Sequence, residues 1–246
     1  SKHTHALICH STAVAEHLTK EAAAYSLDPA RIHAMPPPID VTRFDPAREV
    51  PTRREELEVP TDAFCLGIVA RMQTHRRFEV LLRAIKIARQ DVPGLHLVVV
   101  GRGTNQDAVA RKPVEALGLS DCVHFSGYLR GEEYVGTLAS FDAKVFMVPG
   151  SDGTCRAVRE ALALGVPVVT TKQGMLGELV RQGIDGLNVD ETAEALAAAF
   201  CALANDSGRL AKMSEAARAG AVERFAFDRL ATALEALYGE ATREDR

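Results

Sequence analysis

No stretch of the chain reaches the ~18 consecutive apolar residues that a membrane-spanning helix needs, so none of its segments is expected to cross a bilayer. An excess of one charge is missing too. The 29 Lys and Arg stand against 33 Asp and Glu, and a net charge of −4 offers no electrostatic basis for binding nucleic acid. The cysteines Cys9, Cys65, Cys122, Cys155 and Cys201 are scattered and odd in number. They show neither metal-ligand spacing nor a disulfide framework, which suits a reducing cytosol, and a cytoplasmic location is expected. His3, His5, His10, His17, His33, His75, His96 and His124 also lack metal-ligand spacing. Internal repeats and low-complexity segments are absent. At 246 residues the chain is long enough for one large domain or about two small ones with a full core. Its 47% hydrophobic and 25% charged residues are the usual proportions of a globular protein. Polar residues from Ser1 run straight into an apolar stretch, so the true N-terminus is expected to lie upstream.

Short apolar runs at 6–10, 64–70, 95–100, 123–125, 143–148, 166–170 and 186–189 alternate with segments of helical pattern. One such segment is 78–89, with apolar Val80, Leu81, Leu82, Ala84, Ile85 and Ile87. Short runs rich in Val, Leu and Ile, separated by helices, predict parallel strands buried on both faces. The fold class is therefore α/β, a doubly wound, Rossmann-like parallel sheet. Residues 35–40, MPPPID, cannot join a central strand because successive prolines remove ladder donors, and they read as a domain boundary or hinge. From 191 onward the chain is Ala-rich and helical, broken at Asn205-Asp206-Ser207-Gly208. It resumes to about 224 and again over 228–238, where Leu230, Leu234 and Leu237 mark one face. Residues 240–246 are expected to fray.

The densest stretch is 148–169, VPGSDGTCRAVREALALGVPVV. A buried strand ends at Pro149, and a Gly-rich loop carries Asp152. A helix then carries Glu160, and Gly165 and Pro167 lead into the next strand. This order places two carboxylates and a row of free backbone N–H groups at the C-terminal edge of a parallel sheet, where phosphorylated ligands bind. Arg71 follows a strand and precedes a helix at the same edge, with Arg76 close behind, and guanidinium groups grip phosphate oxygens in a fork. Plainer readings stand beside these. Arg71, Arg76 and Arg77 could be solvated surface charges, Asp152 an N-cap, and Glu160 the partner of Arg156 in an i,i+4 ion pair worth only ~0.3–0.5 kcal/mol. Apolar Ala157, Ala161 and Leu164 place Glu160 near a buried face, where an unliganded charge is costly. His75 reads as a surface histidine and His96 as a packed strand residue. Cys155, at a helix start, is a candidate reactive thiol with no evident base beside it.

The 148–169 stretch resembles the signature of retaining glycosyltransferase family 4, of the GT-B fold: Glu-Gly-Phe-Gly and a second Glu eight positions after the first. Asp152 and Glu160 keep that spacing. The resemblance extends in order through HALICHS (5–11), PPPIDVTRFDP (36–46), GIVARMQTHRRFEVLLRA (67–84), VVVGRG (98–103), VHFSGYLRGEE (123–133) and TKQGMLGELV (171–180). Arg71 and Arg76 stand at the family's arginine and lysine. Arg77 replaces a glycine, Pro37-Pro38 replace Asn-Gly, and Met175 replaces the second of paired glycines. Asp152 reaches roughly 1.5 Å less far than glutamate, and Thr154 and Cys155 replace Phe and Gly, so a side chain at Cys155 restricts backbone approach to a ligand.

The resemblance implies a metal-independent glycosyltransferase, with no cofactor, that moves a sugar from a nucleotide-diphosphate sugar to a glycan, lipid or small-molecule acceptor with retention of configuration. Residues 1–46 would end the N-terminal acceptor domain and its connection, 47–225 would form the donor-binding domain, and 226–246 a C-terminal helix packing back toward the N-terminal domain. Asp152, Arg71 and Arg76 are the implied catalytic groups. Gly153, Thr154, Cys155, Glu160, Gly101, Gly127, Tyr128 and Leu129 are the implied donor contacts, with Asp152 on sugar hydroxyls and Glu160 on the ribose. Partners are the donor and, through the missing N-terminal domain, the acceptor; peripheral membrane association of the full-length protein is compatible with this. The fragment alone is expected to transfer little sugar. A catalytically weak nucleotide-sugar-binding module and a GT-B-fold epimerase remain as alternatives. A dinucleotide dehydrogenase does not fit, since Gly101-Arg102-Gly103 lacks the third glycine and no acid ends a following strand.

Overall fold

The structure is a computed structural model that describes residues 5–48, 50–148 and 155–244. In chain order the elements are β1 (Leu7–Cys9), α1 (Thr12–Lys20), β2 (Ile32–Ala34), β3 (Phe64–Val69), α2 (Phe78–Ala88), β4 (Leu95–Val100) and α3 (Lys112–Leu117). Then follow β5 (Val123–Gly127), α4 (Gly131–Ala139), β6 (Ala143–Phe146), α5 (Arg156–Ala163) and β7 (Val168–Thr171). The chain closes with α6 (Leu176–Leu179), β8 (Gly186–Val189), α7 (Ala193–Ala204), α8 (Ser207–Phe225) and α9 (Phe227–Glu244).

Strands β3 to β8 form one six-stranded sheet in the order β5-β4-β3-β6-β7-β8, every pair parallel. The order reverses at β3, where β4 and β6 lie on either side, so all C-terminal strand ends share one edge with the switch point at its middle. Parallel strands need crossover helices, and these cover both faces. On one face Leu66, Ile68, Leu97, Val99, Ala143 and Val145 pack against α2, α3 and α7. On the other, Cys65, Val98, Val100, Phe146 and Val168 pack against α4, α5 and α8. Alternate residues of one strand feed opposite cores, as the period of two requires.

Local chemistry sets the helix boundaries. The Thr192 side chain accepts from the Ala195 N–H and starts α7, and Asp206 accepts from Arg209 and starts α8. The predicted break at 205–208 is therefore a capping site. Strand β2 was not anticipated. Its three residues pair in parallel with β1 in a separate two-stranded sheet, too short a run to show a period. The proline segment after it stays out of the large sheet, with Ile39 bridging Ala226 and the Pro37 carbonyl accepting from Arg159.

His96 is half-buried on β4. Its ring stacks on that of His124 on β5, centroids 5.2 Å apart, with Nδ1 of His96 2.9 Å from Nε2 of His124. Burial, first, pulls both rings below the ordinary histidine value, and for His96 the charge of His124 adds to it. The unfolded chain therefore binds more protons than the native one just below the ordinary histidine pKa of about 6.5. Stability should fall as pH drops below that value, and His96→Gln should flatten the fall in urea titrations between pH 5 and 7.5.

Gly67 lies in the middle of β3, and a Cβ there would run into the Phe141 ring. Gly67→Ala should cost about 1–3 kcal/mol in denaturant unfolding by overpacking.

Candidate functional site

The C-terminal strand ends are clamped backbone to backbone. The Ala70 N–H donates to Val100 O and the Gly101 N–H to Gly127 O. Gly101 takes φ 134, and a Cβ there would strike the Ala70 carbonyl oxygen, so only glycine permits this approach. The ends of β3, β4 and β5 thus form one rigid rim.

Beside this rim lies a groove of about 440 Å³, lined by Arg43, Tyr128, Leu129, Arg130, Arg156 and Glu160 among others. Tyr128 is exposed, with the Arg130 guanidinium 5.0 Å from its ring centroid. Glu160 is only 3% exposed. One of its carboxylate oxygens accepts from the Tyr134 hydroxyl at 2.6 Å, the other from Arg156 Nε at 2.7 Å. A carboxylate has about four acceptor positions, so these two bonds leave room for two more donors. Burial holds the Tyr134 hydroxyl well above its ordinary pKa, with the charge and hydrogen bond of Glu160 acting in the same direction, so it stays a donor.

Beneath this network Lys144 sits on β6, fully buried, its ammonium without a hydrogen-bond partner among the described residues and 5.8 Å from the Phe146 ring centroid. Burial pulls it down from 10.5 to about 7, against the opposing pull of Glu160.

Several of the expected site residues line or flank this groove. Glu160, Tyr128 and Leu129 come together in the groove, with Gly127 immediately before them and Gly101 bonded to it. Arg71 is exposed on the connection after β3 and does not line the groove. Arg76 is half-buried and also outside it; its guanidinium donates to Val148 O at 3.0 Å, holding the chain where it leaves β6. Arg77 is the left-handed residue before α2 and pairs with Glu79 at 2.7 Å and Glu191 at 3.0 Å, a structural role. Cys155 is buried, in a left-handed conformation (φ 47) at the start of α5. Asp152, Gly153 and Thr154 lie outside the described residues. The sequence reading missed Arg43, Tyr134, Arg130 and Lys144 as parts of this site. A lone lysine inside the apolar run 143–148 was the one signal available. Among the described residues no group of His, Cys, Asp and Glu is arranged to hold a metal, and no helix is long and apolar enough to cross a membrane.

A doubly wound sheet with a polar groove at its strand ends is the layout in which open α/β sheets bind ligands. The chain belongs to the family Glycosyl transferases group 1, whose sequence pattern matches residues 49–220. It is 31% identical over 237 residues to the D-inositol 3-phosphate glycosyltransferase of Salinispora tropica, covering 90% of this chain and 48% of that protein. To the protein of the same name from Stackebrandtia nassauensis it is 32% identical over 254 residues, covering 96% and 55%. The chain thus spans about half the length of the curated relatives it matches. Among solved structures, a glycosyltransferase from Rickettsia africae superposes with a TM-score of 0.82 at 20% identity, covering 96% of this chain and 63% of that one. The Anabaena HepE protein in complex with UDP-glucose superposes with a TM-score of 0.77 at 22% identity, covering 94% and 64%. The fold is the Rossmann-like one of the C-terminal domain in GT-B glycosyltransferases.

Because the folded Lys144 is neutral from about pH 7 while an unfolded lysine stays charged to 10.5, the unfolded chain binds the extra proton in that window. This residue's contribution to stability therefore rises with pH above 7. Lys144→Met should stabilise the protein at pH 7 by about 1–4 kcal/mol, the size seen when buried charges give way to apolar residues. The gap between variant and parent should narrow toward pH 9 in urea unfolding.

Proposed function

We propose that the chain is the donor-binding part of a family 4 glycosyltransferase, which moves a sugar from a nucleotide-diphosphate sugar to a glycan, lipid or small-molecule acceptor. The reading adds that configuration is retained and that no metal takes part. The observation that carries it is the buried Glu160 carboxylate, fixed by Tyr134 and Arg156 at a groove whose other charged residues, Arg43, Arg130 and Arg156, are cationic. A carboxylate with acceptor positions to spare suits adjacent ribose hydroxyls, and the guanidinium groups suit an anionic ligand. The likeness in fold to a protein in complex with UDP-glucose supports the same assignment.

Tyr128 and Leu129 would flank the base, while Arg71, Arg76 and the loop of Asp152, Gly153 and Thr154 would meet the diphosphate and its sugar. In transfer, the bond from the anomeric carbon to the phosphate oxygen breaks as the acceptor oxygen bonds to the same carbon. The acceptor proton passes to the leaving phosphate. Residues 1–46 and 226–246 belong, in this reading, to the acceptor-side connection, and 47–225 to the donor domain.

Thermal-shift screening against UDP, GDP and ADP and then their sugars tests the reading, since a ligand at 100 times its Kd adds about 2.7 kcal/mol. One nucleotide family should stabilise the chain, and none doing so would refute the proposal. Glu160→Gln should weaken that binding roughly 10–100-fold in calorimetry, the worth of a hydrogen bond to a charged acceptor.

A further inference from the structure

Lys144 is out of place for packing alone. Its neighbours across the sheet are Gly67 on β3 and Val168 on β7, neither able to accept a side-chain hydrogen bond. Strand β6 sends Ala143 and Val145 into one core and Phe146 into the other, so Lys144 lies on the Phe146 side, beneath α4 and α5. The same face carries Glu160 on α5 and Tyr134 on α4. Among the described residues the one charge acting on the ammonium is Glu160. Arg156 and Arg43 face the network from the groove side, where they act on the Tyr134 hydroxyl. A methionine would fill such a place without the cost of desolvating a charge.

We propose that Lys144 is a positioning residue that acts through Glu160, so that an anionic ligand in the groove binds together with a proton on the buried amine. The inference rests on the donor-site reading and deepens it. A negatively charged ligand above the Glu160 carboxylate favours the protonated amine, and by linkage the protonated amine favours the ligand. The proton comes from solvent and returns to it when the ligand leaves. The ordinary range of cellular pH spans the region where the folded amine changes charge.

The test uses a nucleotide-diphosphate sugar as probe, because its diester phosphates keep a constant charge across the range. Its Kd is measured from pH 6 to 9 on the parent, Lys144→Met and Lys144→Arg. The parent should weaken roughly fivefold or more as pH rises. The methionine variant should be pH-independent and weak, and the arginine variant pH-independent and tight. Equal pH profiles for the parent and the methionine variant would overturn the proposal. A second arm needs no ligand: carbon-13 NMR follows the Lys144 side-chain titration in the parent and in Glu160→Gln. The titration should move to lower pH in the variant, and an unchanged midpoint would refute the coupling. Absence of probe binding at every pH, with that midpoint moved, would overturn the donor-site reading and the ligand half of this inference while supporting the coupling.

Discussion

A parallel sheet leaves no face for water, because every crossover lays a helix on one side or the other. Six strands here lie between two apolar cores, one drawing on all six strands and the other on β3, β4, β6 and β7. The C-terminal strand ends form one edge of such a sheet that faces solvent with ordered backbone. The backbone clamp between Ala70, Val100, Gly101 and Gly127 makes that edge rigid. The groove owes its position to this constraint rather than to any one residue lining it.

Within the layered core, the polar groups near the groove stand out by their cost. An exposed i,i+4 pair would be worth only a few tenths of a kcal/mol. The pair of Arg156 and Glu160 is different, because the arginine is 68% exposed while the Glu160 side chain is 4% exposed. A buried carboxylate that loses a partner costs about 3–5 kcal/mol, so burial decides the importance of the pair more than its spacing does. Tyr134 completes the arrangement from a different helix, and Phe44 packs edge-on against its ring at 6.3 Å. The plain reading of Glu160 as a helix ion pair and the functional one therefore describe the same geometry.

The strands and helices were legible because short continuous apolar runs alternate with segments of helical period, and β4 falls on its predicted run, 95–100. The capping signal of Asp206 was visible as a break, and the burial of Glu160 followed from Ala157, Ala161 and Leu164. Strand β2 was illegible, since its pairing with β1 is a long-range event between three-residue segments. The bond from Arg76 to the Val148 carbonyl was equally illegible, since it joins residues 72 positions apart. A guanidinium has five donors on a long flexible stem, and its direction is set by whichever acceptor the fold brings near.

What the sequence determined alone was periodic or local: the alternation of strand and helix, the break at 205–208, and the spacing of two acids that points to a family. Those properties depend on residues a few positions apart, which covalent geometry holds together in any fold. What the tertiary structure decided was partnership. Tyr134 meets Glu160 across 26 positions, His96 meets His124 across 28, and Arg218 meets Asp45 across 173. Lys144 was an oddity in an apolar run until α5 brought Glu160 near it. Such pairs form only when the sheet order is complete, because the free energy that aligns them comes from burying both faces of the sheet at once.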